Sequence, residues 1–305
     1  MLNRWLRSLE ESYMTLPTRL LGRTGARVSV IGLGTGAFGF GKVAHEQGVA
    51  IVRRALQLGV TYFDTAHFYE SELMVGEGLE GSRSGVFLAT KVTKRNREAA
   101  LADLELSLKQ LRTDYLDLWL LHTVNTVGDL DAVTGPGGAL EAAVEAQRAG
   151  RVRFIGISGH ARPSVHALAL ERFPFDVVMP ALGIIDTLVT GPQHFLLPAV
   201  KRTGCGLVAM KVLGAGALKE VSDLATRYSL SLGAHTAVVG VESVAEVEQA
   251  VAAGANQQPL TPEEHARLLD LARSKVADED AGTNLSWLGD SQVLAYVAGW
   301  KGAKV

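Results

Sequence analysis

The sequence predicts an α/β protein folded as a closed (β/α)8 TIM barrel with an N-terminal β-hairpin cap and a C-terminal helix and tail. Three observations carry that prediction. Short apolar segments alternate with amphipathic ones from Val30 to Ala253, and strict strand–helix alternation implies a parallel sheet. Eight such units in about 250 residues suit a closed barrel better than an open doubly wound sheet. One segment, Leu116–Leu121, is almost continuously apolar, as a strand covered on both faces should be.

The elements follow in order. Thr18–Leu21 and Ala26–Val30 flank Gly22-Arg23-Thr24-Gly25, a hairpin signature, placed to plug the bottom of the barrel. Val30–Leu33 reads as strand and Gln47–Leu58 as helix, with Ile51, Val52, Ala55 and Leu56 on one face. Tyr62–Asp64 is strand, followed by a short helix from Glu72 to Glu80. Val86–Val92 is strand, and Asn96–Leu111 is a helix with Leu101, Leu104, Leu108 and Leu111 at helical spacing. After Leu116–Leu121 a loop over Asn125–Gly137 leads to helix Gly138–Ala149. Strand Val152–Ile157 is followed by helix Ser164–Arg172, opened by Pro163. Val177–Leu182 is strand, Ile185–Gly191 loop, and Pro192–Lys201 helix. Strands Leu207–Lys211 and Thr236–Val239 precede helices Glu220–Leu232 and Ser243–Ala253. Thr261-Pro262-Glu263-Glu264 is a capping signature for a last helix running to about Val276. No composition shift divides the chain, so residues 1–305 read as one domain with a core over about 18–275.

Composition narrows the function. The chain is 47% hydrophobic and 20% charged, with net charge -2 and pI near 6.5. That balance gives no electrostatic reason to expect nucleic acid or an anionic membrane surface. Cys205 is the single cysteine, which rules out an intrachain disulfide and cysteine-built zinc clusters and favours a reducing, cytoplasmic setting. Charges at Arg4, Arg7, Glu10 and Glu11 interrupt any signal-peptide core, and no apolar run approaches the roughly 18 residues of a membrane helix. Oligomeric state leaves no trace in the sequence.

The chemistry gathers at strand ends. Active sites of this architecture lie at the C-terminal mouth, where Asp64, Lys91 and His122 end the second, third and fourth strands and Tyr69 follows in the loop after Asp64. A phenol titrates near pH 10. A neighbouring lysine favours the phenolate and lowers that pKa, a carboxylate holds the lysine, and an imidazole can hydrogen-bond a substrate oxygen. Together they form a proton donor aimed at a carbonyl oxygen. Taken singly, Asp64 reads as a cap, Lys91 as a solvated charge, Tyr69 as a surface aromatic and His122 as a core histidine. At matching ends of consecutive strands, all four bland readings would have to hold at once.

Gly32-Leu33-Gly34-Thr35, Phe63-Asp64-Thr65-Ala66 followed by Tyr69, Ser71-Glu72 and Gly76, Thr90-Lys91, and Leu121-His122 resemble the motifs of the aldo-keto reductase superfamily. The likeness covers roughly residues 18–275, in the family's order and spacing. It implies a (β/α)8 barrel, NADP(H) or NAD(H) bound at the mouth and a small-molecule carbonyl substrate. It also implies a tetrad of Asp64, Tyr69, Lys91 and His122, with Tyr69 as general acid–base.

Gly34-Thr35-Gly36-Ala37-Phe38-Gly39 also satisfies G-x-G-x-x-G. That pattern should open a helix directly and find an acidic residue at the end of a second strand ~20 residues on. Neither condition is met, so Gly34 and Thr35 read as mouth residues. Barrels bind phosphate in the loops after strands seven and eight. Here those loops are Leu213-Gly214-Ala215-Gly216-Ala217-Leu218 and Gly240-Val241-Glu242-Ser243, where the resemblance also puts the cofactor's pyrophosphate and adenosine ends.

The chain departs from the family in three places. Ser158-Gly159-His160 replaces the Ser-Asn that holds the carboxamide, and Met179-Pro180-Ala181 lacks the usual glutamine. Met210, followed by Lys211, stands where an aromatic stacks on the nicotinamide. Glu242, Glu246 and Glu248 occupy the region where NADP-preferring members carry basic residues, which makes NAD(H) a serious option. The expected cofactor residues are therefore Gly34, Thr35, Asp64, Ser158, Met210, Lys211, Leu213, Gly214, Gly216, Leu218, Gly240, Ser243 and Glu246. Two other readings stand beside this one: a Schiff-base enzyme using Lys91 or Lys211, and a slow-turnover regulatory protein that keeps the cofactor. Substrate choice falls to Asn125–Gly137, Ile185–Gly191 and the tail 277–305. Phe38, Phe68, Trp287, Tyr296 and Trp300 are the aromatics available to wall a pocket.

Overall fold

Eight parallel strands close on themselves in a computed structural model that describes residues 16–39 and 41–277. The chain opens with an antiparallel pair, β1 (Thr18–Leu20) and β2 (Arg27–Ser29), paired Arg19 to Val28. The barrel then runs β3 (Ile31–Gly34), β4 (Tyr62–Asp64), β5 (Phe87–Val92), β6 (Leu116–Leu121), β7 (Val152–Gly159), β8 (Val177–Pro180), β9 (Gly206–Ala209) and β10 (Thr236–Gly240). β10 pairs back onto β3 to complete the ring. Outside it lie α1 (His45–Gln57), α2 (Glu72–Gly78), α3 (Arg97–Gln110), α4 (Val127–Thr134), α5 (Ala139–Arg148), α6 (Pro163–Arg172), α7 (Ile184–Val189), α8 (Pro192–Thr203), α9 (Ser222–Ser231), α10 (Val244–Ala255) and α11 (Pro262–Ala277).

Side-chain alternation along the strands divides the apolar residues into two cores. Tyr62, Phe87, Ala89, Leu118, Leu120, Met179, Val208 and Met210 fill the barrel, with Tyr62 stacked on Phe87 at 5.4 Å between ring centres. Phe63, Leu88, Trp119, Leu121 and Ile157 point outward into the layer shared with the helices. β6 serves both cores, which is why it is apolar almost throughout. Leu21 and Val28 of the hairpin belong to the interior core and close its lower end. The hairpin turn sits hard against β9: a Cβ on Gly22 would come within 2.4 Å of the Gly206 amide nitrogen.

Most predicted elements appear with ends shifted by one to three residues, and four differences have identifiable causes. α4 lies inside the expected loop Asn125–Gly137, started by a capping box between Thr126 and Asp129. α7 overlaps the expected loop Ile185–Gly191, and Asp186 in it accepts a 2.7 Å bond from the Gly183 amide. β7 runs on to Gly159 because its ladder with β8 continues through Ser158 and Gly159. β9 stops at Ala209, since Lys211 adopts a left-handed φ of 58° that no strand sustains. Residues 1–17 as a leader lie mostly outside the described residues. The whole C-terminal tail after 277, with Trp287, Tyr296 and Trp300, lies outside them. Among the described residues no helix is long and apolar enough to cross a membrane, and no acidic, histidine and cysteine cluster is arranged to hold a metal.

Candidate active site

Adjacent strand ends bring Asp64, Lys91 and His122 to the same mouth. Asp64 closes β4, Lys91 is the fifth residue of β5, and His122 follows β6; each is at most 4% exposed. The Lys91 ammonium donates to Asp64 Oδ2 and, at 2.8 Å, to the Thr65 carbonyl. Tyr69 ends a one-turn 3-10 helix, His67–Tyr69, which folds back so that the ammonium stands 4.8 Å from the centre of the phenol ring. His122 Nδ1 lies 2.7 Å from Ser158 Oγ, and its ring meets His160 edge-on at 5.3 Å.

Burial governs the protonation of this group. Burial alone would depress the Lys91 ammonium, but Asp64 and Tyr69 outweigh it and hold the pKa above the ordinary lysine value. Burial raises the Asp64 carboxyl against the pull of Lys91. Tyr69 differs from the expected lowering. Lys91 does favour its phenolate, but burial, helped by Asp64, wins and leaves the phenol above its ordinary value. His122 is driven well below the ordinary imidazole value by burial and by Lys91, His160, Lys211 and Arg95. At neutral pH the site therefore holds a charged lysine, a protonated phenol and a neutral imidazole.

A cleft of about 280 Å³ runs from Asp64 and Tyr69 past Met179, Met210 and Lys211 to Lys219 and Glu242. Of the expected cofactor residues, Gly34, Asp64, Met210, Lys211, Leu213, Gly216 and Gly240 line it. The other six are placed off its wall. Thr35 turns its hydroxyl inward, to the Asp64 carbonyl at 3.1 Å and Ser71 at 2.9 Å. Ser158 is fully buried and engaged with His122. Gly214 packs against Ile185, and Leu218 is only 1% exposed. Ser243 caps α10 by accepting the Glu246 amide, and Glu246 pairs with Lys219. Phe38 is completely buried in the outer core and cannot wall a pocket, whereas Phe68 is 63% exposed.

Some contacts at the site have no signal in the sequence. Lys219, on the loop after β9, lies 3.5 Å from Glu242 and 3.0 Å from Glu246, so a cation does reach the acidic region that appeared to lack one. No local signal marks it, because a cross-loop contact leaves no sequence period. Thr65 and Thr35 both bond the Ser71 hydroxyl; the Ser71-Glu72 motif was the available clue.

The chain can accommodate a dinucleotide in that cleft. Backbone at Lys211, Gly214, Ala215 and Gly216 is left-handed, which turns a short loop around the cleft instead of across it. A Cβ on Gly240 would meet nothing within 4 Å, so the opposite wall is open to a ligand. A sequence model described as "Aldo/keto reductase family" matches residues 30–223. The chain belongs to the aldo/keto reductase family.

L-galactose dehydrogenase of Arabidopsis thaliana is 30% identical to this reductase over 285 residues, covering 77% of this chain and 87% of that one. A holo-form aldo-keto reductase of Bacillus halodurans superposes with a TM-score of 0.71 at 27% identity, over 84% of this chain and 96% of the other. An aldo/keto reductase of Klebsiella pneumoniae, solved with NADP and acetate, gives 0.66 at 26% identity over 84% and 95%. The protein is an NAD(P)H-dependent carbonyl oxidoreductase. The Schiff-base and regulatory readings are not favoured. The charge on Lys91 argues against imine formation there, since that step needs a neutral amine, while burial lowers Lys211 from the ordinary lysine value.

Proposed function

We propose that this reductase converts a small, hydroxyl-bearing aldehyde or ketone to its alcohol, and runs the reverse oxidation, with Tyr69 as the general acid–base. The observation that carries the reading is the convergence of Lys91, Asp64 and Tyr69 at one end of the cleft. Bound NAD(P)H would supply the hydride. Tyr69, kept protonated at neutral pH by burial, donates its proton to the carbonyl oxygen as negative charge develops there. Lys91 stabilises the phenolate that remains, and Asp64 keeps Lys91 charged and in place. If Ser158 donates to His122 Nδ1, the neutral imidazole carries its hydrogen on Nε2 and can bond the same carbonyl oxygen. Met210, Lys211, Leu213, Gly216 and Gly240 would hold the cofactor along the cleft. The hydroxyl-bearing class follows from the relative named L-galactose dehydrogenase.

The test is Tyr69→Phe, assayed by NADH and NADPH oxidation with a panel of short sugar aldehydes and by fluorescence titration of both cofactors. Turnover should fall by about 10²–10⁴-fold, the usual worth of a positioned acid–base group, with cofactor affinity nearly unchanged. Substantial turnover in that variant would reject Tyr69 as the proton donor.

A further inference from the structure

We propose that Glu72 is a positioning residue for Tyr69, binding His67 on one side and Thr90 on the other so that the tyrosine's turn is fixed against the strand carrying Lys91. The inference rests on the reading of Tyr69 as proton donor and adds to it a group that touches neither substrate nor cofactor.

Glu72 is fully buried, a costly place for a carboxylate unless its oxygens are used. Both are. The Thr90 hydroxyl donates to Oε1 at 2.6 Å, and His67 Nδ1 lies 3.1 Å from Oε2. Each oxygen thus has its own partner, one on β5 and one on the turn that carries Tyr69.

The three groups belong to different elements. His67 begins the same short turn that ends in Tyr69, Glu72 begins α2, and Thr90 precedes Lys91 in β5. Neighbouring strand residues face opposite ways. Lys91 therefore faces the barrel mouth, and Thr90 faces the helix layer where Glu72 reaches it. Asp64 and the Thr65 carbonyl grip β5 from the inner face through Lys91, and Glu72 grips it from the outer face through Thr90. Between the two grips lies the 4.8 Å separation of the Lys91 ammonium from the Tyr69 ring. A residue serving only the helix dipole would leave its side chain at the helix end, near the amides; this one spans from the turn to the strand.

A glutamine has the same shape and can keep both bonds, accepting from His67 through its carbonyl and donating to the Thr90 hydroxyl through its amide. Geometry, not charge, should therefore be what matters. Glu72→Ala, Glu72→Gln and the double variant His67→Ala/Thr90→Val would be compared with the parent enzyme for kcat, KM and the pH dependence of kcat in aldehyde reduction. For Glu72→Ala the expected loss in kcat is about 10²-fold, the scale of a 1 Å misplacement, with KM little changed. The basic limb of the profile should move to higher pH, because a phenol displaced from Lys91 loses its stabilising cation. Glu72→Gln should restore both. The double variant should show the same loss and shift, and it serves as the test if Glu72→Ala does not fold. A drop in thermal stability alone, with kcat and the basic limb unmoved, would overturn the proposal. So would failure of Glu72→Gln to restore activity while folded. Tyr69→Phe separates the two levels: an active Tyr69→Phe enzyme defeats the proton-donor reading itself. An inactive one, beside fully active Glu72 variants, defeats only the clamp.

Discussion

Lys91 shows how one buried side chain serves both stability and chemistry. Its ammonium is bonded to Asp64 and the Thr65 carbonyl, and Asp64 has no other cation bonded to it among the described residues. Lys91→Met should remove the group that stabilises the Tyr69 phenolate, leaving a weaker acid. Reduction is expected to slow by about 10²-fold or more, and the basic limb of kcat should move upward. Stability should fall too, by roughly 3–5 kcal/mol, the usual cost of leaving one member of a buried pair alone. Rates and chemical denaturation of that variant check both halves. The direction of the Tyr69 shift fixes the pH behaviour of the parent enzyme. With the phenol pKa raised, reduction should be level through neutral pH and fall only in strongly alkaline solution. Alcohol oxidation should rise along that limb.

At the scale of elements, the loop after β9 and the start of α10 are where cofactor choice is expected to be made. Lys219 is shared by Glu242 and Glu246, and Glu246 Oε2 also accepts the Glu242 amide at 2.6 Å. Around Lys219 two carboxylates share one ammonium, and Lys42 lines the same cleft. A 2′-phosphate would meet Glu242 as a like charge, whereas a free 2′-hydroxyl would meet it as an acceptor. Glu242→Arg should therefore raise the NADPH-to-NADH ratio of kcat/KM by about tenfold or more, equivalent to ~1.4 kcal/mol. An unchanged ratio would place cofactor choice elsewhere. A second element-level prediction concerns Gly39, where a Cβ would fall 1.6 Å from the Tyr69 carbonyl oxygen. Gly39→Ala must displace that turn, so kcat should drop well before cofactor binding does, as paired titrations and rates would show.

Across the whole molecule, burial lowers the pKa of four histidines, His235 among them. His122 is driven well below the ordinary value, His160 to about 3 and His166 to about 4. The unfolded chain binds protons at these groups once the pH drops below about 6.5, while the folded chain does not. Stability is then lost as pH falls from about 6.5 toward 4. Asp186, pushed up to about 8 by burial, works the other way: the folded chain keeps a proton there that the unfolded chain releases above about pH 4. It offsets one histidine, and Asp64, also raised, offsets part of another. Net proton uptake on unfolding therefore lowers stability as the pH falls through this range. Thermal melts between pH 7 and 4.5 should show Tm falling steadily; a flat profile would contradict it.

Much of this was legible in the sequence for a physical reason. Strand and helix periods are local, so eight alternating units announced the barrel. Parallel strands put their C-terminal ends at one mouth, so the sequence alone groups Asp64, Lys91 and His122. Residues whose function depends on contacts between distant segments left no such period. Lys219 meeting Glu242, Ser158 engaging His122, and Thr90 reaching Glu72 arise only when the ring closes and the loops pack. The sign of the Tyr69 shift belongs with them, because it is the balance of burial against one cation, and burial exists only in the folded chain. Local residue patterns set the architecture and the chemical types at the mouth. The tertiary structure alone decided how deeply each is buried, what it bonds and therefore which proton it holds.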